Sequence, residues 1–369
     1  MPKLRSKLLL AVILVLIVPV LLLLAEGGVR LFARHLDPLE IFVTSPQLRS
    51  DTQGENTAGL FEFDPLLVWR LKPNLRNVWW DFTPVSTNAA HLRVDHELAA
   101  KHGLRIVCLG DSVTFGYRVP VAPDRAHATT FDPAEQAYPR LLEQRLRQAH
   151  PGLDIEVIPL ACPGYTSGQG LAWLRRDIAE LKPDLVTACF GWNDARAAGL
   201  PDRATMPQGA QATARGVIAR SQLLLHITQM AQRKNIPAVP PAPEPRSSEA
   251  EYVANLVALD ALCRENSANF LAILPIYRDP NMAGDYPEAA AQPGDPEEGK
   301  RVGAYRAALQ AEAQKRSVRT LLIPELTESA WPGNANYFGE RIHPNAAGHQ
   351  LLAERLAAAL SPLLPSPSK

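Results

Sequence analysis

From Leu104 onward, short uninterrupted apolar runs alternate with segments whose apolar positions recur every three or four residues. The runs at 105–109, 155–160, 185–190, 270–276 and 318–323 are too short for helices and end in turn residues. They also lack an alternating polar face, so they predict strands buried on both sides. Helical spacing fills the intervals at 138–149, 168–181, 220–233, 249–265 and 302–315. Strands buried on both faces need helices on both faces. The rhythm therefore predicts a three-layer αβα domain, flavodoxin-like, with a central parallel sheet and right-handed crossovers. The Pro-rich stretch 237–245 and the Pro-, Gly- and acid-rich stretch 279–300 read as surface insertions within that domain.

Ahead of this pattern, residues 8–25 form an uncharged run of 18 residues, nearly all Leu, Val, Ile or Ala, behind Lys3, Arg5 and Lys7. As a helix it would reach about 27 Å, close to the hydrocarbon thickness of a bilayer. Cleavage of a signal peptide wants small residues before the cut, and Leu23 stands where one is needed if the cut follows Ala25. Residues 1–30 are therefore expected to be an uncleaved signal anchor, a transmembrane helix with its basic flank in the cytoplasm. The rest of the chain would then lie outside the cytoplasm, periplasmic or at the cell surface, or be secreted if the segment were cut. Residues 31–60 lack sustained periodicity and read as a juxtamembrane stalk. Trp69, Trp79 and Trp80 stand among alternating apolar positions in 61–102, which predicts a lid or β-ribbon extension. The main domain is expected at 103–361, with a short tail at 362–369.

Composition narrows the function. The 38 basic residues balance 38 acidic ones, which argues against a nucleic-acid-coating surface. Cys108, Cys162, Cys189 and Cys263 include no Cys-x-x-Cys pair, so neither a zinc ribbon nor a dithiol redox site is expected; buried free thiols are. The stretch Gly294-Asp295-Pro296-Glu297-Glu298-Gly299-Lys300 resembles a phosphate-binding loop only in part. Arg301 replaces its Ser/Thr, Pro and acids fill it, and no strand precedes it, so no nucleotide or other cofactor is implied. No Gly-x-Ser-x-Gly occurs, which argues against the α/β-hydrolase fold. His349 shares a helical stripe with Leu352, Leu356 and Leu363 and reads as a packed histidine rather than a metal ligand.

In a parallel sheet covered by helices, chemistry gathers beyond the carboxyl ends of the strands. The first run ends in Gly110-Asp111-Ser112-Val113-Thr114-Phe115-Gly116, the second in Cys162-Pro163-Gly164-Tyr165-Thr166 and the third in Gly191-Trp192-Asn193-Asp194. Near the C-terminus, Glu340-Arg341-Ile342-His343-Pro344 precedes the last helical pattern. These four blocks, in this order, resemble those of the SGNH (GDSL) hydrolase superfamily over residues 103–361.

The residues also make physical sense. A serine hydroxyl becomes a nucleophile when a neutral imidazole takes its proton, so Ser112 needs a base, and His343 is the candidate. Pro344 keeps His343 off the helix and suits the first position of the helix that follows. Charge developing on a carbonyl oxygen needs fixed donors, for which the Ser112 and Gly164 backbone N–H groups and the Asn193 amide are suited. The superfamily assigns its oxyanion donors to these matching positions. It commonly places Asp three residues before the catalytic His, where this sequence has Glu340, whose longer side chain needs local accommodation. Tyr165 and Trp192 read as aromatic packing, with a pocket wall as the alternative. Thr166 with Gln169 reads as a capping box.

The resemblance implies a serine ester hydrolase working through an acyl-Ser112 intermediate, and the location expected from the anchor points to an O-acyl, for example O-acetyl, carbohydrate or lipid of the cell envelope as its substrate. An acyltransferase using the same residues and a non-catalytic envelope binding protein are the alternatives. The expected partners are an acyl ester and, through the N-terminal helix, a membrane; no nucleic acid, nucleotide or metal is implied.

Overall fold

The computed structural model describes residues 2–43, 59–121, 132, 135–198, 200–234, 244–277, 296–328, 331–340 and 342–365, with side chains of the first helix described from Leu16 onward. Two antiparallel hairpins come first: β1 (Phe61–Asp64) with β2 (Val68–Leu71), and β3 (Val78–Trp80) with β4 (Thr83–Val85). The main strands follow as β5 (Leu104–Gly110), β6 (Ile155–Ala161) and β7 (Leu185–Cys189). A two-residue pairing of β8 (Ala197–Ala198) with β9 (Glu244–Pro245) precedes β10 (Asn269–Ile273) and β11 (Thr320–Leu321). Five strands form one parallel sheet in the order β11-β10-β7-β5-β6.

Alternation along β5 sends Val107 and Leu109 to one face and Ile106 and Cys108 to the other. The first face packs on helices Ser167–Leu181, Glu249–Glu265 and Pro296–Arg316, the second on Tyr138–Ala149 and Ala346–Leu360. This is the expected three-layer arrangement. Two strands are shorter than their apolar runs. β10 stops before Pro275, which has no N–H to give the ladder, and β11 is cut short as Pro324 opens a one-turn helix. Helix Ala210–Ala219, which buries none of its side chains, was not predicted by apolar spacing.

Residues Pro2–Phe32 form one helix. Among the described residues no helix is long and apolar enough to cross a membrane. The side chains of the first part of the 8–25 run lie outside that set, while Leu16, Val20, Leu21, Leu22, Leu23 and Leu24 are exposed. The end of the segment expected to be an anchor and the start of the expected stalk pack on the domain. Glu26 accepts hydrogen bonds from the N–H groups of Gln222 (3.0 Å) and Leu223 (2.9 Å) and from the Ser221 hydroxyl (2.7 Å), capping helix Gln222–Lys234. Leu36 and Ile41 pack on Leu225, and Leu39 and Val43 join the main core. Residues 44–58 lie outside the described set.

Candidate active site

The strand order places a topological switch at β5, because the chain passes from β5 to β6 on one side and then to β7 on the other. Loops leaving neighbouring strands in opposite directions open a crevice there. Gly110 ends β5, and a Cβ at this position would lie 1.9 Å from Thr114 Oγ1. Only glycine lets the next turn fold back so tightly. Asp111 caps that turn by accepting from Val113 N–H at 2.9 Å, which sets Ser112 at the first position of helix Ser112–Phe115.

His343 arrives from the opposite end of the chain on a tight loop. A bridge between Phe338 and Pro344 closes the loop, and Gly339 N–H donates to His343 O at 3.0 Å. Beyond it, the Asn345 side chain accepts from Gly348 N–H at 3.0 Å and caps helix Ala346–Leu360. His343 Nε2 lies 2.8 Å from Ser112 Oγ. Glu340 Oε1 accepts from His343 N–H at 3.0 Å and is also paired with His343 Nδ1. The extra methylene of Glu340 thus lets the carboxylate curl back over three residues to meet both the backbone and the ring. A carboxylate only accepts, so Nδ1 carries the proton and Nε2 offers its lone pair to the serine hydroxyl.

Gly164 follows β6 with φ of 82°, in the left-handed region that favours glycine. Among the described residues no protein acceptor takes the backbone N–H of Ser112 or Gly164. Asn193 differs from the expected free donor. Its Nδ2 donates to Asp111 Oδ2 at 3.2 Å and to Tyr165 O at 3.0 Å, so both amide hydrogens are engaged. An oxyanion held by Asn193 would have to take over one of these bonds. Burial pushes the Asp111 carboxyl up to about 7, against the opposing effect of the Val113 N–H bond.

The crevice beside Ser112 and His343 is walled by Phe190, Trp192, Pro275, Ile276 and Ile342, and it encloses about 320 Å³ including its open mouth. Trp192 therefore lines the recess, while also stacking on Tyr277 with ring centres 5.8 Å apart. Tyr165 is fully buried against Trp69 and Trp173 and is a packing residue. The Thr166–Gln169 capping box is present. His349 is fully buried, its Nδ1 accepting from Tyr138 N–H at 3.2 Å, and burial drops its pKa to about 3. Residues 294 and 295 of the loop-like Gly294–Lys300 stretch lie outside the described set, and helix Pro296–Arg316 occupies the remainder.

Sequence reasoning missed Tyr117, whose ring lies on His343 with centres 4.0 Å apart and a 31° tilt. Its hydroxyl donates to Asp81, which also holds Arg118 at 2.8 Å. It missed Arg246 as well, which donates to Gly164 O at 2.5 Å, to Asp202 Oδ1 at 2.9 Å and to Gln169 Oε1 at 2.8 Å. Tyr117 directly follows Gly116 of the first block, but nothing in the sequence pairs it with a residue more than two hundred positions away.

The sequence model of the GDSL-like lipase/acylhydrolase family matches residues 108–351, a span that holds Ser112, Gly164, Asn193, Glu340 and His343. The chain belongs to this family. An arylesterase of Vibrio mimicus is 32% identical over 96 residues, which are 26% of this chain and 40% of that protein, so the match spans less than half of the relative. Among solved structures, a lipase/acylhydrolase from Enterococcus faecalis aligns at 18% identity with a TM-score of 0.43, covering 72% of this chain and 99% of the other. An acetylxylan esterase from Geobacillus stearothermophilus aligns at 19% identity with a TM-score of 0.40, covering 72% and 97%.

Proposed function

We propose that this member of the GDSL-like family is a serine ester hydrolase with Ser112 as nucleophile, His343 as base and then acid, and Glu340 as the orienting carboxylate. The observation that carries the reading is the continuous relay from Glu340 through His343 Nδ1 and Nε2 to Ser112 Oγ at 2.8 Å; among the described residues the Ser112 and Gly164 N–H groups have no protein acceptor. In the first half-reaction the Ser112 oxygen bonds to the ester carbon as its proton passes to His343 Nε2. The oxyanion is held by Ser112 and Gly164 N–H, with Asn193 joining as one of its bonds yields. Each such donor contributes about 3–4 kcal/mol to the transition state. His343 then returns the proton to the departing alcohol oxygen, leaving acyl-Ser112. Water, deprotonated by the same nitrogen, attacks the acyl carbon and restores the serine.

The bulky side chains of Phe190, Trp192, Pro275, Ile276 and Ile342 crowd the recess beside Ser112 and His343, which favours a short acyl group such as acetyl. The alcohol portion is read as an envelope carbohydrate or lipid because the uncharged run at 8–25 behind three basic residues would hold the domain at the outer face of the cytoplasmic membrane. The test is to incubate the protein with p-nitrophenyl acetate, octanoate and palmitate and with a fluorophosphonate. Turnover fastest on acetate and labelling of one serine are expected, both lost in Ser112→Ala. Turnover or labelling that survives in Ser112→Ala would refute the assignment. Adding an alcohol acceptor and finding a new ester in place of free acid would identify a transferase.

A further inference from the structure

The 61–102 extension, which carries hairpins β1–β4, precedes the span matched by the family, yet it meets the site at three places. Trp69 at β2 donates its indole Nε1–H to Pro163 O at 3.2 Å. Pro163 C=O and Gly164 N–H belong to one planar peptide, so a donor on the carbonyl fixes the plane and polarises an N–H that has no protein acceptor among the described residues. Trp69 is itself held rigidly. It is buried, Tyr165 packs edge-on at 5.5 Å and donates to Trp69 O, and the Arg246 guanidinium lies 5.6 Å over the ring. At the tip of the β3–β4 hairpin, Asp81 accepts from the Tyr117 hydroxyl and so tethers the ring that lies on His343. Arg93, just past the hairpins, donates to Phe115 O at 2.8 Å, Gly116 O at 2.6 Å and Val119 O at 2.8 Å, bracing the turn that carries Ser112.

We propose that the hairpin extension is a built-in positioning element of the active site, with Trp69 setting the Gly164 oxyanion donor and Asp81, through Tyr117, setting the plane of the His343 imidazole. This rests on the reading of the site as an ester hydrolase. The extension is then more than a spacer. It touches no substrate in this role and acts by holding groups whose misplacement by a fraction of an ångström costs rate.

Trp69→Phe and Tyr117→Phe each keep a ring and remove one hydrogen bond. Both are assayed on p-nitrophenyl acetate, with active sites counted by fluorophosphonate so that kcat refers to folded enzyme even where a variant is less stable. Trp69→Phe should lower kcat about tenfold with KM within about twofold, and weaken a trifluoromethyl ketone, whose adduct bears the oxyanion, by a similar factor. Tyr117→Phe should lower kcat about fivefold at unchanged KM. Trp79→Phe, in the same hairpins but away from these bonds, should leave kcat unchanged. Wild-type kcat per active site in both Trp69→Phe and Tyr117→Phe, or an equal loss in Trp79→Phe, overturns the proposal. A wild-type protein with neither turnover nor labelling refutes the hydrolase reading itself and the proposal with it.

Discussion

Glu340 shows what one methylene changes. Its Oε1 meets both His343 N–H and Nδ1 within a loop pinned by the Phe338–Pro344 bridge. In the proposed mechanism, Glu340→Gln leaves an amide that can present its N–H to the ring and permit the wrong tautomer. Activity on p-nitrophenyl acetate should fall by about a hundredfold or more without reaching the Ser112→Ala background. Glu340→Asp should retain more activity than Gln, since a carboxylate remains and the loop can shift toward the ring. Equal rates for all three would make Glu340 a bystander. Ser112, His343, Gly164 and Glu340 were legible in the sequence because each follows a strand or precedes a helix in a motif of fixed local form. The engagement of Asn193 with Asp111 and Tyr165 was not, because a side-chain amide's partners depend on how three separate loops converge.

Among elements, helices Tyr138–Ala149 and Ala346–Leu360 meet through His349, whose neutral ring takes the Tyr138 N–H at the start of the first helix. Its folded pKa of about 3 lies below the ordinary value of 6.5. The stability it contributes is therefore present above pH 6.5 and is lost as pH falls toward 3. Asp111 and Asp194 have the opposite sign. Burial raises them to about 7 and about 6, so their protonation favours the fold at low pH, an advantage lost as pH rises through those values. Between pH 8 and 5 the two trends oppose each other. His349→Asn should remove the destabilising one, making the change in unfolding free energy from pH 8 to pH 5 more favourable by about 2 kcal/mol than in wild type, as read by urea titration at both pH values. An unaltered pH dependence would place the charge-sensitive group elsewhere. The strands and most helices of the domain followed from periodicity, since burial on both faces writes itself into the sequence as uninterrupted apolar runs. The hairpins' role did not, because Trp69 and Asp81 act on residues 94 and 36 positions away, through contacts that no local pattern encodes.

For the molecule as a whole, the N-terminal helix is joined to the domain by Glu26, which caps helix Gln222–Lys234. If residues 8–25 span the membrane as proposed, the full chain should remain in the membrane pellet after a high-salt wash, and a chain starting at Glu26 should be released while still folded. A reporter fused after Lys369 should be active only outside the cytoplasm, and activity confined to the cytoplasm would overturn the topology. Glu26→Ala should cost about 1 kcal/mol of unfolding free energy through loss of the cap, measurable in the shorter chain. The four cysteines follow from the layered design in another way. All are buried, Cys162 and Cys263 in the core on one side of the sheet and Cys108 and Cys189 in the core on the other, and burial pushes every thiol upward in pKa. A thiol reacts with alkylating agents as an accessible thiolate, so the native protein should be silent to iodoacetamide. In rising urea each layer then carries its own pair of chemical reporters. Mass mapping of the alkylated peptides would show whether the two faces of the sheet come apart together, as one cooperative unit, or one before the other.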